Sequence, residues 1–266
     1  MTKEEDLEEL LEAQEDLLIK FRDPIVMTLI GLPASGKTTI AKQMKKLLSN
    51  YFDDILIVDI DKIRKEMFGE EFKPENESKV RNEQKNRVEE FLGENKVVII
   101  DDLNYFISMR HEFYEIANEK DGVYFPVYVK APLPVCIERN NERGNPIPNE
   151  KIKEINKKLD IPGIRYTWDH PKLIIDTSVM NFKEIRHTIV SQLVMEIEEH
   201  FKAQEKEVQK KKKEEEEKET EKEKEEGVIR TSEEKEREEE LKEREKEERK
   251  RKEKEQKEER ERVRNE

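Results

Sequence analysis

The 266-residue chain carries 53 Lys/Arg against 66 Asp/Glu, a net charge of −13, with 45% of its residues charged and 33% hydrophobic, a polar balance for a globular protein. Its one cysteine, Cys136, excludes an internal disulfide framework or a thiolate zinc cluster and points to a reducing, cytoplasmic setting. No stretch approaches the roughly 20 apolar residues that span a bilayer, the N-terminus is acidic where a signal peptide is basic, and the overall acidity leaves only local patches for nucleic acid.

The charge is uneven. Residues 201–266 hold 24 Lys/Arg and 27 Glu, and residues 1–23 hold 3 basic and 9 acidic side chains. Between them, residues 24–200 have an ordinary composition, enough for one domain with a sizeable core. Four segments follow: an acidic amphipathic helix at 1–23, a core domain at 24–180, a helix at 181–201, and a Lys/Glu-rich charged helix or disordered tail at 202–266. The four histidines, His111, His170, His187 and His200, show no metal-ligand spacing.

Leu7, Leu10, Leu11, Leu17, Leu18 and Phe21 recur at helical spacing, ended by Asp23-Pro24. This helix packs on the domain edge or binds a partner. An apolar strand, Ile25–Ile30, then runs into Gly31, Leu32, Pro33, Ala34, Ser35, Gly36, Lys37 and Thr38, with Thr39 behind them. This is G-x-x-x-x-G-K-[ST] between a strand and a helix, Lys37–Leu48, the context that the phosphate-binding loop requires. The glycines let backbone N–H groups surround phosphate oxygens at a helix N-terminus. Lys37 is expected to reach the β- and γ-phosphates of ATP, and Thr38 to hold Mg²⁺.

A second strand, Ile55–Ile60, leads to Asp61 and Arg64, three apart at the start of a helix over Lys62–Phe68. Both side chains fall on one face. The carboxylate can accept a hydroxyl proton while the guanidinium braces a transferring phosphoryl group; otherwise Asp61 is a helix cap and Arg64 a solvated arginine. Asp59 is the weaker rival for the base. After a helix over Glu75–Leu92, the third strand, Val97–Ile100, ends in Asp101-Asp102, either of which suits the Mg²⁺-directing position.

A helix over Ser108–Asn118 and a strand over Val123–Val129 follow. The helix Leu133–Arg143 carries Arg139 and Arg143 four apart, suited to a lid closing on nucleotide phosphates, with Gly144-Asn-Pro as a flexible exit. Cys136 on that helix reads as a small core residue. A helix over Asn149–Leu159, a strand over Leu173–Ile175 and a helix over Phe182–Phe201 complete the core. This alternation predicts an α/β fold, a parallel sheet of about five strands covered by helices on both faces. Beyond Phe201 the chain lacks a heptad, and i,i+4 Glu–Lys pairs support a charged helix broken at Gly227 and Thr231-Ser232; disorder is the alternative.

The segment Asp101-Asp-Leu-Asn-Tyr-Phe-Ile-Ser-Met-Arg110, the run Arg139-Asn-Asn-Glu-Arg143-Gly-Asn-Pro-Ile-Pro-Asn-Glu, Asp160-Ile-Pro-Gly and Tyr166-Thr-Trp168-Asp169-His-Pro together resemble O-phosphoseryl-tRNA(Sec) kinase over about residues 25–180. Kti12-like proteins associated with Elongator share the P-loop, the Asp-x-Leu-Asn-Tyr strand end and the Trp-Asp segment. Polynucleotide 5′-hydroxyl kinases share the Asp-x-x-Arg pair and the arginine lid. Ser108-Met-Arg110 and Ile147-Pro-Asn149-Glu150 fit the phosphoseryl family best.

That resemblance implies an ATP- and Mg²⁺-dependent P-loop kinase acting on the serine of seryl-tRNA(Sec). Asp61 is then the base with Arg64 supporting it, Lys37 and Thr38 belong to the P-loop, and Arg139 and Arg143 form the lid. The Kti12 resemblance implies instead a regulatory ATPase, docked through the N-terminal helix or the charged tail.

Overall fold

The computed structural model describes residues 16–69, 71–180 and 182–264. Five strands form one sheet: β1 (Ile25–Ile30), β2 (Asp54–Asp59), β3 (Lys96–Asp101), β4 (Val123–Lys130) and β5 (Leu173–Asp176). Their order is β2-β3-β1-β4-β5, and every neighbouring pair is parallel. Parallel strands need crossovers, and here helices supply them on both faces. They are α2 (Lys37–Leu48), α3 (Ile60–Phe68), α4 (Glu77–Phe91), α5 (Ile107–Glu119), α6 (Leu133–Glu142) and α7 (Asn149–Lys158), preceded by α1, described over residues 16–20.

The strands are apolar runs because each is buried on both sides. In β1, Ile25, Met27 and Leu29 face a core shared with Ile40, Met44 and Leu48 of α2, while Val26 faces one shared with Ile63, Val80, Val88 and Phe113. Residues 97 and 99 of β3 fall with the first set and 98 and 100 with the second, the period-two alternation of a strand. Leu18 and Phe21, from the end of the leading segment, join the first core. Leu7, Leu10 and Leu11 of that segment lie outside the described residues.

The final helix, α8, spans Phe182–Arg264. Its first turns bury Ile185, Ile189, Leu193, Val194 and Ile197 against the sheet, and His200 reaches Asp23 at 3.0 Å. Contacts divide the chain into two units at Lys202/Ala203. In the second unit, pairs such as Lys211–Glu207 (2.8 Å) and Lys242–Glu238 (2.8 Å) link successive turns. The backbone is helical at Gly227 and Thr231-Ser232, where a break is expected; a glycine costs only about 1 kcal/mol in a helix of strong formers. Among the described residues, no helix is long and apolar enough to cross a membrane.

One buried ion pair joins distant parts of the core domain. Arg110 donates from Nε and Nη2 to the two carboxylate oxygens of Asp169, both at 2.6 Å, and both side chains are 0% exposed. Arg110 Nη1 also donates to Asn104 O at 2.9 Å, so the β3–α5 loop is fastened to the short turn that precedes β5. Trp168, next to Asp169, stacks between Tyr114 (5.0 Å) and Tyr166 (5.9 Å). Asp169→Asn leaves the Arg110 charge unbalanced in the core and should lower the unfolding free energy by about 3–5 kcal/mol. Urea denaturation of the full chain checks this, and a loss below about 1 kcal/mol would contradict a desolvated pair.

Candidate active site

The phosphate loop lies where β1 ends between β3 and β4, and its shape follows from close backbone approaches. A Cβ on Gly31 would stand 2.1 Å from Val129 O, and Gly31 N donates to Leu103 O at 3.1 Å. Gly36, at φ +98°, starts α2 without any side-chain cap, so the first N–H groups of α2 keep their capacity to meet an anion.

Lys37 turns back into this loop. It is buried, and its Nζ donates to Gly31 O (3.1 Å) and Leu32 O (2.7 Å). Burial lowers its pKa to about 8, opposed by the nearby carboxylates of Asp101 and Asp102. Burial also raises Asp101 and Asp102 above the usual carboxylate range.

The two aspartates differ in their partners. Asp101 interacts with the Thr38 hydroxyl, and its Oδ2 is buried with no hydrogen-bond partner. Asp102 is occupied: Oδ1 accepts from Leu103 N (2.6 Å) and Oδ2 from Arg81 Nη1 (3.3 Å). Among the described residues no group of three or more His, Cys, Asp or Glu could hold a metal by itself. Thr38 with the orphaned Asp101 oxygen fits an ion that keeps water and phosphate ligands, as Mg²⁺ does.

At the end of β2 the carboxylates sort by role. Asp59 is the N-cap of α3, accepting from Asp61 N (3.0 Å) and Lys62 N (3.2 Å). The strand therefore ends at Asp59, one residue before the expected boundary, and the cap lies on the residue the sequence offers as rival base. The Asp61 side chain is left 85% exposed and pairs with Arg64 Nη1. Arg64 is held from the other side by Glu77, Nε to Oε1 at 2.6 Å and Nη2 to Oε2 at 3.1 Å, which with Asp61 holds its pKa above the ordinary value.

The arginines of α6 part company. Arg139 donates to Thr177 Oγ1 and Thr177 O, both at 2.8 Å, and Thr177 Oγ1 donates to Ser35 O at 2.7 Å. Arg139 is thus tied to the phosphate loop through Thr177, while Arg143 is exposed at the end of the helix. The turn after it is closed rather than loose. The buried Asn140 Nδ2 donates to Asn145 Oδ1 (2.7 Å), Ile147 O (2.7 Å) and Asn149 Oδ1 (3.2 Å). Gly144 and Asn145 supply the positive φ that this turn needs. Cys136 is buried, with its thiol pushed up by burial, and packs with Leu32, Ile152 and Ile155 as a core residue.

Three residues at the site escape sequence reasoning: Glu77, Arg81 and Thr177. Glu77 and Arg81 lie on α4, 13 and 21 residues from their partners, with no motif to mark them. Thr177 follows the end of β5, and strand ends in a parallel sheet are where sites form, so its position alone was a signal.

The sheet order, the glycine-built loop and the Thr38–Asp101 pair define a P-loop kinase fold. The chain belongs to the family of chromatin associated protein KTI12, which it matches over residues 24–259. It is 36% identical over 188 residues to the L-seryl-tRNA(Sec) kinase of Methanococcus maripaludis, covering 70% of this chain and 71% of that protein. It is 28% identical over 170 residues to Protein KTI12 of Saccharomyces cerevisiae, covering 60% of this chain and about half (54%) of the yeast protein. The crystal structure of Chaetomium thermophilum Kti12 in complex with ADP-AlF3 shares the fold, with a TM-score of 0.53 at 19% identity over 65% of this chain and 98% of that one.

Burial of Lys37 makes a pH prediction for the nucleotide-free protein. A folded-state pKa of about 8 against 10.5 unfolded means that the unfolded chain binds more protons between those values, so the stability attributable to Lys37 rises with pH across that window. Wild type should therefore gain on Lys37→Met, by up to about 3 kcal/mol between pH 7.5 and 10.5. Denaturant unfolding of both proteins across that range checks it; a constant difference would mean that Lys37 titrates as a solvated amine.

Proposed function

We propose that the protein is an ATP- and Mg²⁺-dependent kinase that transfers the γ-phosphate to a hydroxyl, the serine of seryl-tRNA(Sec), giving O-phosphoseryl-tRNA(Sec). The observation that carries the reading is the Asp61–Arg64–Glu77 arrangement. It presents an exposed carboxylate, fixed by a guanidinium that is itself fixed, beside a phosphate loop. A carboxylate held in this way suits the alignment and deprotonation of an acceptor hydroxyl. The relationship to the Methanococcus maripaludis enzyme supports the choice of acceptor.

The residues suit the groups they would bind. Lys37 and the α2 N-terminus would take the β- and γ-phosphates, and Thr38 with Asp101 would hold Mg²⁺, which when bound supplies charge neutralisation at the transferring group. Asp61 orients the acceptor hydroxyl. As its oxygen bonds to the γ-phosphorus, the bond from phosphorus to the bridging oxygen breaks, that electron pair leaves on ADP, and the hydroxyl proton passes to Asp61. Arg139, through Thr177, holds the Ser35 carbonyl and with it the loop. Arg143, exposed one turn on, is the lid arginine that can close on phosphate.

A second reading is favoured by a separate observation: the KTI12 family match continues through the charged helix to residue 259. In that reading water is the acceptor, and the tail or the N-terminal helix docks the chain on a tRNA-modifying assembly. The Asp61→Asn variant distinguishes the roles. Turnover with seryl-tRNA(Sec) should fall by two to four orders of magnitude, the usual contribution of a general base, with ATP affinity within about threefold of wild type. Rapid-quench turnover with nucleotide titration measures both, and a matching collapse of ATP binding would make Asp61 part of the nucleotide site instead.

A further inference from the structure

A phosphotransferase site needs positive charge around the transferring group, whose equatorial oxygens carry the charge of the transition state. Spacing from Asp61 assigns that task to Arg64, but in the fold Arg64 is engaged elsewhere. Its Nε and Nη2 donate to both oxygens of Glu77, its Nη1 to Asp61, and the Phe72 ring lies 5.5 Å from its guanidinium carbon. Three of its five N–H donors are taken, two of them by Glu77 in the fork geometry that guanidinium makes with carboxylates, so both edges of the group are turned to carboxylates.

Arg81 is held differently. It stands on α4 one turn beyond Glu77, is partly exposed (28%), and among the described residues makes a single long contact, Nη1 to Asp102 Oδ2 at 3.3 Å. A guanidinium has five donors, so most of its capacity stays available. Asp102 is also where the site's other charges converge: Lys37 and Asp61 are its further charged neighbours. Lys37 and Asp61 thus both act electrostatically on the carboxylate that Arg81 touches.

We propose that Arg81 is the acceptor-side catalytic guanidinium, contacting the oxygens of the phosphoryl group during transfer, and that Arg64 is a positioning residue that aims Asp61. The assignment rests on the phosphotransferase reading of the site. Bond making and breaking are those given above; Arg81 exchanges no proton, because guanidinium stays charged throughout. Asp102 orients Arg81 by one point and leaves its other donors to the substrate. The competing role for Arg81 is structural, a counter-ion that makes a buried Asp102 tolerable.

The test uses the full chain with saturating γ-labelled ATP, with and without seryl-tRNA(Sec), and counts label on the acceptor and as free phosphate in single turnovers. Arg81→Lys keeps the charge beside Asp102 and so preserves folding; Arg81→Met removes it; Arg81→Met/Asp102→Asn removes both charges. Total γ-phosphate transfer should drop about 100-fold in Arg81→Met, the scale for losing one transition-state donor, and at least tenfold in Arg81→Lys, with ATP affinity within threefold. The double variant should stay as slow as Arg81→Met. Recovery of the wild-type rate in the double variant, or its retention in Arg81→Lys, would reduce Arg81 to a counter-ion and overturn the proposal. Wild type that labels only water would remove the seryl acceptor from the functional reading, while the rate of phosphate release would still decide the role of Arg81.

Discussion

The site depends on burying an ammonium and two carboxylates together at the ends of two adjacent parallel strands. Lys37, Asp101 and Asp102 each lose hydration. The Lys37 charge offsets part of that cost for both carboxylates and they for it, while Asp102 opposes the charge on Asp101 and is itself eased by Arg81 and Leu103 N. Such a cluster survives only where the surrounding fold is rigid, since a buried charge that loses its partner costs several kcal/mol. The sheet provides that rigidity, with β1 held between β3 and β4 by continuous ladders and by burial on both faces. The loop after β1 is then stitched to its neighbours by Gly31 N to Leu103 O and by Asn104 Nδ2 to Leu29 O.

The segments that carry the family resemblance are explained by this need for rigidity. Asn104, Arg110 and Asp169 are all buried and joined by hydrogen bonds to one another. They form a buried brace that fixes the loop after β3, and with it the paired aspartates, to the turn before β5. Asp160 extends the brace, accepting from Ile107 N at 3.1 Å. The Asn-rich run after Arg139 has the same character: Asn140 closes the turn beyond α6, so that the helix ends in a defined shape. Arg139 itself is drawn into the framework through Thr177, whereas Arg143 is exposed at the end of the helix.

Local chemistry was legible in the sequence, and long-range chemistry was not. The phosphate loop, the five apolar strands and the Asp-x-x-Arg pair each declare themselves within ten residues, because loop geometry and burial act on neighbours in the chain. Asp59 and Asp61 differ in which of them caps α3, a matter of one residue in the end of β2. Asp101 and Asp102 differ through Arg81, which bonds Asp102 and which no spacing rule connects to β3. Glu77 was hidden for the same reason, since topology rather than periodicity brings α4 to the site, while Thr177 had only its place after β5 to mark it. The remaining mismatch, helical backbone through Gly227, reflects the strong helix propensity of the Glu, Lys and Arg around it.

The central claim is that this site moves phosphate to a hydroxyl, and the destination of the γ-phosphate tests it most directly. The chain would be incubated with γ-labelled ATP and, in separate reactions, seryl-tRNA(Sec), seryl-tRNA(Ser), a 5′-hydroxyl RNA, or water alone. Label on seryl-tRNA(Sec) and on neither other RNA is the predicted result. Free phosphate in every reaction, with no labelled acceptor, would contradict the kinase account and leave a regulatory ATPase.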